Sequence, residues 1–153
     1  MSCAMHEEEK ELGKLKPQAA KLFGETVVDL SHRNYGIRGI SILAGHLASN
    51  DLKLQTVKLG FNQLGDSGSI IVADYIRINN SITCLDLGFN AITDKGAGAI
   101  AQSLSVNTTL TSLYLSGNKI SGDGFSYFEH LFKVNSTLKS LHLTSNAGKA
   151  EVL

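Results

Sequence analysis

Only a few side chains in this sequence could do covalent chemistry, and their spacing decides whether they can cooperate. Ser67 lies in the segment Gly65-Asp66-Ser67-Gly68-Ser69, where a serine could act as a nucleophile if a histidine base and an oxyanion hole lay beside it. The five histidines are His6, His32, His46, His130 and His142. None has the short spacing to another histidine or to a cysteine that a zinc site uses. No glycine turn is followed by the Lys and Ser or Thr of a phosphate-binding loop. The sequence therefore predicts no metal site and no cofactor.

Charge balance and cysteine content argue against several classes of partner. The 153 residues include 14 Lys plus Arg and 14 Asp plus Glu, so the formal charge is zero and no basic field is available for nucleic acid. Cys3 and Cys84 are too few for a disulfide framework. The N-terminal segment is acidic at residues 7–11, where a signal peptide would be basic, and no apolar run is long enough to span a membrane. We expect an intracellular, cytoplasmic protein with no nucleic-acid or membrane partner.

The most informative feature is a repeat of 28 residues. Asparagines fall at Asn62, Asn90, Asn118 and Asn146, each 28 positions after the last. Three apolar columns keep the same interval, for example Leu59, Leu87, Leu115 and Leu143. A fainter first unit is displaced by 29 residues and has Arg33 at the asparagine position, so its turn is expected to differ from the others.

Each repeat has two halves with different hydrophobic periods. Leu85 and Leu87 alternate with polar residues, which predicts a short strand with one buried face. Apolar residues recur at three-and-four spacing between residues 96 and 106, which predicts a helix, with Asp94 as its N-cap. One strand and one helix cannot enclose a core. Successive copies must therefore stack into a parallel sheet on one side and a layer of helices on the other.

The string Leu110-x-x-Leu113-x-Leu115-x-x-Asn118-x-Ile120 resembles the leucine-rich repeat signature, and the period with a full helix resembles the ribonuclease-inhibitor-like class. The resemblance covers residues 25–146. It implies an α/β solenoid, a horseshoe segment of about five repeats with units starting near residues 25, 54, 82, 110 and 138. Residues 1–24 are expected to form a charged helical cap, and residues 147–153 a short uncapped tail. Such a tail favours a fragment, a truncated gene product, or a chain whose last face is covered by another molecule.

The family geometry also predicts which side chains share the concave sheet face. The middle column is Asp29, Lys58, Asp86, Tyr114 and His142, whose charged members could pair with one another or contact a partner. At the strand exits, Phe61 and Phe89 should stack on each other, either as a packed spine or as exposed anchors for a partner. In the family, asparagines such as Asn62, Asn90, Asn118 and Asn146 bond the backbone of the turn that leaves the strand.

These features favour a non-catalytic module that binds a protein partner on its concave face. Ser67 falls in a helix-start turn, although its segment resembles the nucleophile region of chymotrypsin-like serine proteases, so no enzyme is predicted. One alternative is a structural piece that docks through its uncapped C-terminal face into a larger scaffold or its own dimer. The other is a regulator of a GTPase or a nuclease, although none of the three arginines, Arg33, Arg38 and Arg77, lies in a concave strand column.

Overall fold

Each of the first four repeats folds into one short strand followed by one helix in a computed structural model, which describes residues 26–49 and 53–147. The five strands are β1 Val27–Asp29, β2 Thr56–Lys58, β3 Cys84–Asp86, β4 Ser112–Tyr114 and β5 Ser140–His142. The four helices are α1 Gly36–Ser49, α2 Gly65–Ile78, α3 Asp94–Leu104 and α4 Gly122–Val134. The cap expected in residues 1–24 and all but the first residue of the expected tail lie outside the described residues.

The strands form one open parallel sheet in the order β1-β2-β3-β4-β5. Each strand pairs with the next without slippage, so Lys58 lies beside Asp86, Asp86 beside Tyr114, and Tyr114 beside His142. Neighbouring strands are about 4.8 Å apart, whereas packed helices need about 8–10 Å. Because the two layers have different spacings, the stack curves into a solenoid segment with the sheet on its concave side and the helices on its convex side.

The core lies between the sheet and the helices. The central residue of each of the first four strands is buried, as Leu85 and Leu113 illustrate. Helix α3 turns its predicted apolar residues toward them, and Ala97, Ile100, Ala101 and Leu104 are all buried. Burying a leucine or isoleucine side chain stabilises a fold by about 1.5–3 kcal/mol. Three-residue strands have little stability of their own, so this stacking holds the repeats together.

The predicted N-cap of the third helix is wrong by one residue. Thr93 is the cap: its backbone is extended (φ −102°), and its hydroxyl oxygen accepts a hydrogen bond from the backbone N–H of Lys95. Asp94 is instead the first helical residue. Its carboxylate is not available for capping because it bonds Ser121 of the next repeat.

The first turn has the same backbone conformation as the second and third, contrary to the expectation drawn from Arg33. His32 and Asn34 have left-handed backbones (φ 58° and 56°), as do Phe61 and Gln63 in the next repeat (φ 57° and 55°). Asn62 explains the similarity, since its Oδ1 accepts a hydrogen bond from the backbone N–H of Arg33 at 3.0 Å. The first turn is therefore shaped by the repeat that follows it and needs no asparagine of its own.

Candidate functional site

The middle column of the sheet face contains a stacked aromatic pair. The Tyr114 ring lies on the His142 ring with centroids 4.2 Å apart and planes 2° from parallel. His142 Nε2 also makes a 2.8 Å hydrogen bond with Ser140 Oγ. Tyr114 is exposed and His142 is half-buried. Tyr114 therefore offers its ring to solvent while His142 supports it from the next strand.

The charged members of the column pair only in part. Lys58 Nζ lies 3.9 Å from Asp29 Oδ2, and both side chains are about half exposed, so this ion pair contributes no more than about 1 kcal/mol. Asp86 Oδ1 instead accepts a hydrogen bond from the backbone N–H of Gly88 at 2.9 Å. Asp29 accepts the same kind of bond from Ser31, which lowers the pKa of the Asp29 carboxyl. Asp86 thus keeps its second oxygen available to a partner.

Three stacked rings, His32, Phe61 and Phe89, form what we call the aromatic ridge at the strand exits. The centroid separations are 4.2 Å between His32 and Phe61 and 4.4 Å between Phe61 and Phe89. Phe61 and Phe89 remain 45% and 50% exposed, so the ridge does not fill the core. The outer face of the Phe89 ring lies against Gly117, where a Cβ would collide with it. Among the two interpretations left open by the sequence, the exposure favours anchors for a partner.

All three residues of the aromatic ridge have a left-handed backbone, with φ of 58° at His32, 57° at Phe61 and 54° at Phe89. This conformation destabilises a residue with a Cβ by roughly 1–2 kcal/mol, whereas a stacked aromatic pair stabilises the fold by only about 0.5–1.5 kcal/mol. Gly117 occupies the same column of the fourth repeat without that cost. Ser145 in the same column of the fifth repeat also has a left-handed backbone (φ 57°), so the conformation belongs to the turn and does not require an aromatic side chain.

We expect Phe89→Gly to be more stable than Phe89→Ala by about 1 kcal/mol. Both changes remove the ring, but only glycine relieves the left-handed backbone. Urea unfolding of the two variants gives the comparison directly. Equal stability of the variants would mean that the turn relaxes to another backbone conformation when the ring is lost.

The aromatic ridge borders an open depression of about 730 Å³ on the sheet face. Lys58, Asp86 and Tyr114 also line it, and Asp86 and Tyr114 lie side by side in neighbouring strands. Arg33 lines the rim near the first repeat. Five of the six predicted contact residues, Lys58, Asp86, Tyr114, Phe61 and Phe89, therefore share one concavity of a size that ligands commonly occupy. His142 takes part only through its stack on Tyr114.

The asparagines at the strand exits hydrogen-bond the backbone of consecutive turns, so few of their polar atoms are available to a partner. Nδ2 of Asn90 donates to Leu87 O in its own repeat (3.1 Å) and to Leu59 O in the repeat before (2.9 Å). Its Oδ1 accepts from the backbone N–H of Asn62 at 2.9 Å. The same pattern continues through the column of Asn62, Asn90, Asn118 and Asn146. These bonds satisfy backbone groups that burial would otherwise leave unpaired.

A second ladder, formed by aspartates, was not predicted. The Asp66 carboxylate accepts hydrogen bonds from the backbone N–H and the hydroxyl of Thr93 at 2.8 and 2.7 Å. Asp94 does the same for Ser121 at 2.7 and 2.6 Å. Each aspartate thus fixes the N-cap of the next helix. The sequence signal is an aspartate followed 27 residues later by Thr or Ser, present twice in register.

Asp94→Ala is expected to destabilise the protein by about 1 kcal/mol at neutral pH, since bonds to a charged acceptor are lost from a partly exposed site. The Ser121 hydroxyl holds the pKa of Asp94 below its usual value near 3.9. Its stabilising effect is therefore complete above pH 4 and disappears as the pH falls through the lowered pKa. Asp123→Ala, at the start of α4 and exposed, is the matched control. Equal effects of the two changes at every pH would contradict the role of Asp94.

Asn107 and Asn135, which lie in Asn-x-Thr sequences, form a third ladder at the helix-to-strand joints. Nδ2 of Asn135 donates to Leu104 O at 2.7 Å and to Asn107 O at 3.1 Å. Its Oδ1 accepts from the backbone N–H of Leu138 at 2.8 Å. Both asparagines are buried, so in the folded chain their amide nitrogens are engaged in structure and not accessible for modification.

Other chemistry is sparse in the part of the chain that the structure describes. No three His, Cys, Asp or Glu side chains there come together as metal ligands would. Cys84 is half-buried in the sheet, and burial raises the pKa of its thiol, so the reactive thiolate is disfavoured. Ser69 is buried within α2, whose first turn includes Ser67. None of the described helices combines the length and apolar character needed to cross a membrane.

Comparison with known proteins agrees with this architecture. The family described as Leucine Rich repeat matches residues 50–69, 79–101, 106–128 and 134–147, more than half of the chain. No match was found among the curated proteins. Among solved structures, leiomodin-1 actin-binding site 2 superposes with a TM-score of 0.69 at 25% identity, over 83% of this chain and 72% of that one. Leucine-rich repeats form protein-interaction modules, and the leiomodin-1 domain is named for a site that binds actin. The chain belongs to the leucine-rich repeat family.

Proposed function

We propose that the concave sheet face of this protein binds a protein partner through the aromatic ridge and the neighbouring charged column. The observation that carries the proposal is the pair Phe61 and Phe89, half exposed and held in a strained backbone. Aromatic side chains that are rigid and partly exposed dominate the energetics of many interfaces. Lys58 and Asp86 would fix the register of the partner, and Tyr114, supported by His142, would add a further aromatic contact.

Similarity to the leiomodin-1 domain makes actin the first partner to test. That neighbour is named for an actin-binding site, and it matches most of this chain. The 28-residue period and the full helix in each of the first four repeats further support membership of the ribonuclease-inhibitor-like class. Arg33 at the rim of the depression would allow a GTPase or nuclease partner to use the same face. This alternative uses the same surface as the main proposal and differs from it only in the identity of the protein partner.

The experiment compares Tyr114→Ala with Ile78→Ala. Both side chains are exposed, but Tyr114 lies on the sheet face and Ile78 at the end of helix α2. Binding to monomeric and filamentous actin is measured by sedimentation, and other partners are identified by quantitative affinity capture with wild-type protein. We expect Tyr114→Ala to weaken partner binding at least tenfold, which is about 1.4 kcal/mol, while Ile78→Ala leaves it unchanged.

Folding is checked by circular dichroism in the same samples. If Tyr114→Ala unfolds the chain, Tyr114 is structural and its assignment to the binding face is wrong. If Tyr114→Ala and Phe89→Gly both fold and both bind like the wild type, the partner uses another surface. Actin binding alone is not required, because a different captured protein with the same dependence on Tyr114 supports the concave face equally.

A specific observation also favours the assembly alternative. Phe132 is 39% exposed, although Ile76 and Leu104 in the same column are buried. Leu141 in β5 is partly exposed, whereas Leu85 and Leu113 are buried. An apolar face at the last repeat could bind a scaffold or a second copy of the chain. Multi-angle light scattering at several concentrations tests self-association. A rise in mass that Phe132→Ser abolishes supports it, and a constant monomer mass argues against it.

A further inference from the structure

The convex side of the molecule contains a groove that no part of the proposed function uses. This helix groove, of about 700 Å³, runs between α3 and α4 and is largely apolar. Its α3 side is formed by Lys95, Gly98, Ala101, Gln102 and Ser105, and its α4 side by Tyr127, His130, Leu131, Lys133 and Val134. On each helix most of these positions recur every three or four residues, so they form two stripes that face each other.

Small residues on α3 open the groove. Gly98 and Ala101 lie on its floor, whereas the position equivalent to Gly98 in α2 is occupied by Ile70. The Tyr127 ring reaches across from α4, and a Cβ at Gly98 would lie 3.1 Å from it. The tyrosine forms one wall of the trough and still remains 48% exposed. Val134, 70% exposed, continues the apolar surface to the end of α4.

The charged side chains that line the helix groove are two lysines, Lys95 and Lys133, and no Asp or Glu lines it. Neither lysine forms an ion pair with any residue that the structure describes. A ligand with both apolar and acidic groups would cover the apolar surface of the helix groove and neutralise its two lysines.

We propose that the helix groove binds an acidic amphipathic helix of a protein partner. The α3 stripe spans residues 95–105, and ten helical steps of 1.5 Å give a trough of about 15 Å, enough for about three turns of a bound helix. Apolar side chains at positions i, i+3 or i+4, and i+7 would cover the exposed apolar groups of Tyr127 and Val134. Carboxylates on the flanks would face Lys95 and Lys133. This surface is separate from the sheet face and does not depend on the proposed concave site.

The probe is a fluorescein-labelled 14-residue helical peptide with leucines at those spacings and glutamates on both flanks, and its counterpart with lysines in place of glutamates. Fluorescence anisotropy with the full chain measures binding. We expect the acidic peptide to bind and the basic one to bind at least tenfold more weakly. The double variant Lys95→Glu, Lys133→Glu should lose at least tenfold in affinity for the acidic peptide.

The control variant Lys53→Glu, Lys139→Glu changes net charge equally at two exposed lysines outside the groove, and should bind like the wild type. The proposal is overturned if neither peptide binds at millimolar concentration, if both bind equally, or if the control pair weakens binding as much as the groove pair. Vesicles containing phosphatidylserine are tested in parallel. Groove-dependent binding to vesicles without peptide binding would assign the surface to lipid instead. Tyr114→Ala should leave peptide binding intact, which separates this result from the concave site.

Discussion

Replacing Asn90 with alanine is expected to lower the free energy of unfolding by about 3–5 kcal/mol. Asn90 is fully buried, and its amide donates to Leu59 O, Leu87 O and Gly88 O while its Oδ1 accepts from the backbone of Asn62. Alanine leaves the backbone N–H groups of Asn62 and Leu64 without an acceptor in a space that the two adjacent repeats enclose. The carbonyls of Leu59, Leu87 and Gly88 each lose one of their two donors. Each buried unpaired group costs about 1–3 kcal/mol, so the effect exceeds that of most single substitutions.

Urea unfolding measures the effect, with Asn80→Ala as the control. Asn80 is exposed in the loop after α2, and its replacement should change stability by less than about 0.5 kcal/mol. Asn90→Asp is a sharper test, since aspartate keeps the shape but places a negative charge against carbonyl oxygens. It should be at least as destabilising as alanine. A loss below about 1 kcal/mol in Asn90→Ala would show that the turn does not depend on this side chain.

Gly96→Ala should destabilise the protein by about 2–3 kcal/mol, although alanine is normally the better helix former. Gly96 is in the first turn of α3, where a Cβ would collide with Ser69 Oγ and lie 2.7 Å from Asp66 Oδ1 and Ile92 Cγ2. Asp66 cannot move freely because it holds Thr93, the cap of the same helix. The steric overlap of the new Cβ and the disturbed hydrogen bond between Asp66 and Thr93 therefore both destabilise the variant.

Gly45→Ala is the control, and its expected effect on the free energy of unfolding has the opposite sign. Gly45 is also helical, in α1, but nothing lies within 4 Å of a Cβ built there. Alanine should stabilise the chain by up to about 1 kcal/mol, because it lowers the backbone entropy of the unfolded state. Thermal unfolding of both variants gives the comparison. Stabilisation by both substitutions would mean that α2 and α3 are farther apart than the hydrogen bonds of Asp66 imply.

The repeat pattern was sufficient to place the residues of the middle sheet column side by side. A constant 28-residue interval requires identical pairing at every strand, and the observed register of Lys58, Asp86, Tyr114 and His142 is the predicted one. The reason is that a one-residue slip would turn Leu85 and Leu113 away from the core. Registers with such a buried face are strongly specified by the hydrophobic pattern alone.

The errors have a common origin in contacts between repeats. Asp94 has the residue type and position of a helix cap, and only the proximity of Ser121 shows that its carboxylate is used elsewhere. Arg33 was expected to change its turn, but Asn62 of the neighbouring repeat bonds the first turn as Asn90 bonds the second. Local propensity describes what a residue can do within its own repeat. It does not describe which groups the adjacent repeat presents.

By itself the sequence determined the period of the fold, the alternation of strand and helix, and the residues that share each face, because hydrophobic periodicity is local and repeated four times. Only the tertiary structure decided that the Phe61 and Phe89 rings are exposed, that Asp66 and Asp94 hold the next helix, and that a basic groove opens beside Gly98. These outcomes depend on the distance and orientation between stacked repeats. That geometry results from the packing of side chains that lie 28 residues apart.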